Sequence, residues 1–234
     1  MPLTPKAGDS LTYSANMLPT VSNYTMRYDY SSSTFQGQPA LALTTTSTIA
    51  GVTSTGVTYT SPTTGAYLGS NAAAATTTTV TTFDPPDYQD RINNASYNIG
   101  QVATVAVKAR VTGSGITSAF AAIGGGTALT MDYSFTVERK PNESLTVAAG
   151  TFANVCKLQV NVTINNVKLE GNNGSNPMFS SLFGTLSSAF AQPFNNTIWL
   201  TNKLPNVPKF YMTTAAASGG SSTQELTSYT LAPR

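Results

Sequence analysis

Residues 142–164 read NESLTVAAGTFANVCKLQVNVTI, and their apolar side chains recur at every second position on either side of one glycine. Leu145 and Val147 alternate with Thr146 and Ala148, Ala149-Gly150 breaks the run, and Leu158, Val160, Val162 and Ile164 alternate with Gln159, Asn161, Thr163 and Asn165. A period of two fits the opposite-facing side chains of a strand and excludes a helix. After a turn at Asn142, the stretch therefore predicts a hairpin that reverses at Gly150, with Leu158, Val160, Val162 and Ile164 facing a core.

The same period recurs elsewhere. Tyr24, Met26, Tyr28 and Tyr30 share one face, as do Ala103, Val105, Val107, Ala109 and Val111, with Lys108 and Arg110 on the opposite face. Leu129, Met131, Tyr133, Phe135 and Val137 form the clearest core-facing strand. Short β-prone pieces separated by glycines and prolines from Leu11 to Pro62 suggest a meander. Strands around Trp199 and Tyr211 and one over 224–231 close the chain. Residues 84–99 open with Asp84-Pro85-Pro86-Asp87, where two prolines fix φ and remove donors. They read as a stiff connection between an N-terminal meander, 1–83, and a C-terminal sheet, 100–234. At this length 1–234 is read as a single all-β domain.

Two apolar segments break the pattern. In 113–127, Ile116, Ala119, Phe120 and Ile123 fall at helical spacing, enough for one or two turns. In 176–192, Pro177 suits a first helical position, and Phe179, Leu182, Phe183, Leu186 and Phe190 follow at i, i+3, i+4, i+7 and i+11. The expected fold is an antiparallel meander forming an open or closed β-barrel or a curved sandwich, with this amphipathic helix as plug or lid. Three roles stay open for the helix: plain core, lid over a cavity, or interface.

Only 9% of residues are charged, against a usual ~25%, so Thr, Ser, Asn and Gln must cover the surface. That suits an exported protein, in the periplasm, at an outer membrane or outside the cell. MPLTPKAGDS has neither the basic start nor the apolar centre of a signal peptide, so the chain is expected to be the mature part. No apolar run is long enough for a membrane helix. The net charge of +2 is scattered, which argues against nucleic acid as a partner. Cys156, the only cysteine, is expected as a buried, inert thiol.

Val147-Ala148-Ala149-Gly150-Thr151-Phe152, then Ile198-Trp199-Leu200 and Glu225-Leu226-Thr227-Ser228-Tyr229, preceded far upstream by a strand from Gly8 to Tyr13, make an ordered set of signals. The set resembles a group of exported bacterial envelope proteins and lipoproteins of unknown function. Some of these look like open barrels of the lipoprotein-carrier type, in which a curved sheet wraps an apolar cavity closed by helices. The resemblance implies a carrier-like or envelope-associated β-domain whose partner is a lipid or another hydrophobic ligand.

Reactive chemistry is poorly supplied. Histidine is absent, which removes the commonest general base and metal ligand and every Ser-His or Cys-His relay. No Ser-x-x-Lys occurs, and Gly124-Gly125-Gly126 lacks the Lys of a phosphate loop. Neither enzymatic activity nor a cofactor is expected. Asp84, Asp87 and Asp90 are weak candidates for holding Ca²⁺, set against a solvated linker with Arg91 as counter-charge. The expected function is non-enzymatic binding of a hydrophobic ligand, with Phe120, Ile123, Phe179, Leu182, Phe183, Leu186, Phe190 and Trp199 as ligand or lid candidates. The alternative is a structural subunit that self-assembles or docks on an envelope protein.

Overall fold

Strands that are apolar on one face must bury that face by stacking sheets or by rolling one sheet up. The computed structural model, which describes residues 2–18, 21–74, 77–121, 125–171, 193–214 and 220–234, takes the second route. The N-terminal half supplies β1 (Ser10–Leu18), β2 (Val21–Phe35), β3 (Gln38–Ile49), β4 (Val52–Thr60), β5 (Tyr67–Ala74) and β6 (Thr77–Asp84). The C-terminal half supplies β7 (Val102–Thr112), β8 (Ala128–Val147), β9 (Gly150–Glu170), β10 (Phe194–Leu200), β11 (Lys209–Thr214) and β12 (Ser221–Thr230). Each strand pairs antiparallel with its chain neighbours, and β12 pairs with β1, so the twelve strands make a closed barrel. Two short helices, α1 (Tyr88–Ile92) and α2 (Ser114–Phe120), are the helices among the described residues.

The predicted hairpin is β8–β9, in register with Val137 opposite Val160 and Phe135 opposite Val162. Leu158, Val160, Val162 and Ile164 are buried, while Gln159, Asn161 and Asn165 are exposed. Gly150 sits at φ 134°, a conformation that L side chains rarely adopt, which places the reversal there. The turn expected at Asn142 is instead part of one continuous strand. Pro141 has no N–H to give to the ladder, and the register shifts between Lys140 and Glu143 and again before Leu145 without ending β8. The carrier-type resemblance implied an open barrel; pairing of β1 with β12 along Ser10–Leu18 closes this one.

Both chain ends lie at the barrel end where β1 starts and β12 finishes, the terminal end. The connections after β2, β4, β6, β8 and β10 lie there too. Its core joins Leu11, Tyr13, Tyr30 and Leu41 to Leu145, Val147, Phe152 and Val155 of the β8–β9 hairpin, whose tip bonds back through Ala149 N–H to the Leu226 carbonyl at 3.2 Å. At the distal end α2 packs Ile116 against Ala109, Leu129, Met131, Ile164 and Leu169. The helix expected over 176–192 lies outside the described residues.

Asp9 fastens the termini. It is 1% exposed, and its carboxylate accepts from Lys6 N–H at 2.8 Å, Ala232 N–H at 2.9 Å and the Arg234 guanidinium at 2.8 Å. Removing one partner of a buried pair strands the rest, at a cost of roughly 3–5 kcal/mol. Asp9→Ala should lower the unfolding free energy in urea by about that amount. The register gives a second expectation. Leu158→Asp should cost roughly 3 kcal/mol or more by burying an unpaired carboxylate, and Asn161→Asp should leave the melting temperature nearly unchanged.

Candidate functional site

In a barrel of about eight strands the inward side chains just meet, so twelve strands enclose more width than their own side chains fill. Two segments enter from the terminal end. After Pro85 and Pro86, α1 turns Tyr88 and Ile92, one helical turn apart, into the core. On its outer side Arg91 Nε donates to Asp87 Oδ2 at 3.0 Å. The segment expected as a bare stiff connection thus carries a helix that packs inside the barrel. The second segment, 201–208 between β10 and β11, brings in Leu204 and Pro208, both fully buried. Leu3 N–H holds it at the Leu204 carbonyl at 2.9 Å, and the Tyr13 hydroxyl donates to the Val207 carbonyl at 3.1 Å.

Aromatic rings run along the inside from this floor. Tyr67 meets Phe83 at 4.8 Å between centroids, Phe83 meets Tyr88 at 4.6 Å, Tyr88 meets Phe135 at 6.0 Å, and Phe135 stacks on Tyr133 at 5.8 Å. Burial pushes the Tyr28 and Tyr88 hydroxyls above the ordinary phenol value and Tyr67 up to about 12. All three stay neutral at any ordinary pH.

Between α1, the 201–208 segment and the inner face of the sheet lies a cavity of about 570 Å³, open to solvent. Its walls are Leu43, Ile92, Phe135, Val160, Ile198 and Phe210, interrupted by Thr45, Thr58, Asn93, Asn196, Asn206 and Gln224. Among the described residues, no Asp, Glu, Lys or Arg lines it. Apolar walls with a few convergent polar groups, at this size, are the usual form of a small-molecule site. A second hollow of about 460 Å³ lies over β6–β9 and is charged, with Lys108, Arg110 and Asp132 in its lining. Its charges are partly spent, since Arg110 pairs with Glu170 at 2.8 Å and Asp132 accepts from Asn166 at 2.8 Å.

The residues singled out from sequence do not gather at one place. Phe120, at the end of α2, packs on the distal core, and Trp199 lies in the terminal-end core, so the two stand at opposite ends and neither lines the cavity. Ile123, Phe179, Leu182, Phe183, Leu186 and Phe190 lie outside the described residues. Asp84 sits in β6 opposite Lys108, Asp87 is taken by Arg91, and no group of His, Cys, Asp or Glu among the described residues is placed to hold a metal ion. Cys156 is buried, and that burial pushes its thiol above the usual value. Of the lining, Tyr28, Phe135 and Val160 were visible as positions on the apolar face of a strand. Asn93 and Asn196 had no sequence signal at all.

Trp199 is held by strand register. Lys157 on β9 and Lys209 on β11 are its direct cross-strand neighbours, and each places its ammonium 5.4 Å from the ring centroid. Its indole N–H donates to Glu143 Oε1 at 2.6 Å. That bond, with Lys157 and Lys209 adding to it, holds the Glu143 carboxyl below the usual carboxylate range. A depressed folded value contributes stability above the ordinary Glu value, ~4.3, and loses it as pH falls through the depressed one. The fluorescence of Trp199, the only tryptophan, should therefore hold steady from neutral pH to that range and change below it. Glu143→Gln should flatten the profile.

No family model matches the sequence, and no curated protein matches it. Among solved structures, the chain is similar in fold to a protein named as exported, with a YmcC-like fold, from Bacteroides fragilis. That likeness has a TM-score of 0.52 at 10% identity, over 97% of this chain and 98% of that one. A protein named as a lipoprotein from Parabacteroides distasonis gives 0.49 at 10% identity, over 97% of each chain. The hypothetical lipoprotein YmcC of Escherichia coli gives 0.46 at 11% identity, over 96% of this chain and 85% of its own. At 10% identity the first of these likenesses is one of fold alone, without recognisable sequence kinship.

Proposed function

We propose that residues 1–234 act as one exported, non-enzymatic envelope domain that carries a hydrophobic ligand in the barrel lumen. The observation that carries this reading is the 570 Å³ cavity, walled by Leu43, Ile92, Phe135, Val160, Ile198 and Phe210 and free of charged lining. Placement outside the cytoplasm is supported by the 9% charge content and by the name of the Bacteroides fragilis protein with the similar fold. The second reading, a subunit that assembles with itself or with an envelope protein, draws on Ile99 and Val102. These two apolar residues stand 62% and 60% exposed on either side of Gly100.

Nile red, a neutral dye that fluoresces in apolar surroundings, separates the two readings. The carrier reading expects one saturable dye site on a monomer. Thr58→Trp, which puts an indole into the lumen from β4, should abolish it while leaving the circular dichroism spectrum unchanged. Absence of saturable binding, together with oligomers that dissociate on Ile99→Ser and Val102→Ser, would replace it with the assembly reading.

A further inference from the structure

The geometry points to an uncharged amphiphile with a hydroxyl-bearing head as the ligand of the lumen, an inference that rests on the carrier reading above. The apolar side of the ligand follows from the walls. Its lack of charge follows from what the lining omits. Among the described residues the lining contains no Asp, Glu, Lys or Arg, and burial raises the Tyr28 and Tyr88 hydroxyls above the ordinary phenol value, so both are neutral. The two charged residues buried among the described ones, Asp9 and Arg139, both stand outside the lining. Asp9 is engaged with Arg234, and Arg139 donates from Nη1 to the Lys140 carbonyl and from Nη2 to Asn142 Oδ1. A carboxylate or ammonium brought into this lumen would lose its hydration without meeting a counter-charge.

The head chemistry follows from which polar groups the protein has already used. Gln224 Nε2 donates to the Tyr28 hydroxyl at 3.1 Å, Gln89 Nε2 donates to the Tyr88 hydroxyl at 3.2 Å, and Asn206 Oδ1 accepts from Val207 N–H at 2.7 Å. Asn93, at the C-terminal cap of α1, and Asn196, on β10 opposite Val160, belong to the same lining. The carboxamide oxygens of both are buried with no hydrogen-bond partner. A buried, unpaired carbonyl oxygen is costly, and native proteins keep few of them. Both unpaired atoms are acceptors, so the ligand group that relieves them is a donor. An uncharged donor on an aliphatic body is an alcohol, a diol or a primary amide, and the hydroxyl-bearing case is the one tested.

Three probes share a ten-carbon acyl chain and differ at the head: 1-monodecanoylglycerol, methyl decanoate and decanoic acid above its pKa. Displacement of Nile red from the full chain should rank monodecanoylglycerol first, on the order of tenfold tighter than methyl decanoate, as for one good hydrogen bond. Decanoate should be weakest. Asn93→Leu and Asn196→Leu should each narrow the gap between monodecanoylglycerol and the ester, read as the ratio of the two affinities. Each change should also leave the ligand-free melting temperature unchanged or raised, since an apolar replacement removes the unpaired oxygen. Equal affinity for the glyceride and the ester, or tighter binding of decanoate, would overturn the head assignment and leave the carrier reading standing. Failure of all three probes and of Nile red would overturn the carrier reading itself. A glyceride preference that survives both substitutions would overturn the roles of Asn93 and Asn196.

Discussion

Everything in this barrel depends on one non-local pairing, β1 with β12. The other eleven pairings join strands that follow each other in the chain, so each can form from a hairpin. The last must bring residue 10 opposite residue 230, and its loop-closure entropy is recovered only when the rest of the sheet is already curved. The chain places its strongest polar device at that seam. The Asp9 carboxylate binds the Ala232 N–H and the Arg234 guanidinium, which holds the C-terminus against the N-terminal lead just where the first and last strands meet. Tyr13 and Leu226, opposite each other in β1 and β12, are both fully buried. Closure therefore also assembles the terminal-end core.

Closing twelve strands creates a second problem, because a barrel this wide cannot be filled by inward side chains alone. The terminal end resolves it with three pieces of chain: α1, the 201–208 segment and the folded-back tip of the β8–β9 hairpin. Each is attached through the backbone, as in the Leu226 N–H to the Pro208 carbonyl at 2.9 Å, so the floor is built into the sheet rather than laid on it. The middle is not filled to the same degree, and the cavity lies there. The lumen is thus a geometric consequence of strand number combined with a plug that enters from one end.

How legible this was depends on the range of each interaction. The β8–β9 hairpin could be read from Leu158, Val160, Val162 and Ile164 because a strand with one face in a core writes its period into the local sequence. The continuity of β8 through Pro141 could not, since proline reads as a break and the sequence does not reveal that a register shift absorbs it. α1 was hidden for the opposite reason: Asp84-Pro85-Pro86-Asp87 dominates the local signal, and five helical residues are too few to show a period. Tyr28, Phe135 and Val160 were visible as core positions. That they line a cavity rather than a filled core depends on barrel width, and strand pairing across the whole chain sets that width. Phe120 and Trp199 drew attention as large apolar residues, yet each serves the packing of one barrel end.

Closure also explains the composition. An open sheet presents unpaired N–H and C=O groups at its edges, and proteins guard such edges with lysines, prolines and inward charges. A closed barrel has no such edge, so its outer face can do without most of that charge. Threonine suits this surface, since its branched side chain favours the strand and its hydroxyl can bond to the neighbouring strand. Thr48 and Thr53 on β3 and β4, and Thr146 and Thr151 at the hairpin tip, pair their hydroxyls at 3.2 and 3.1 Å. The few charges are mostly used in pairs, with Arg27 on Asp29, Arg110 on Glu170 and Lys209 on Glu225. These pairs bridge a strand to itself or to a near neighbour and sit outside the lumen. Low charge on the outer face is thus a result of the closed sheet. Its outer surface needs little charge, and the described lining of its cavity carries none.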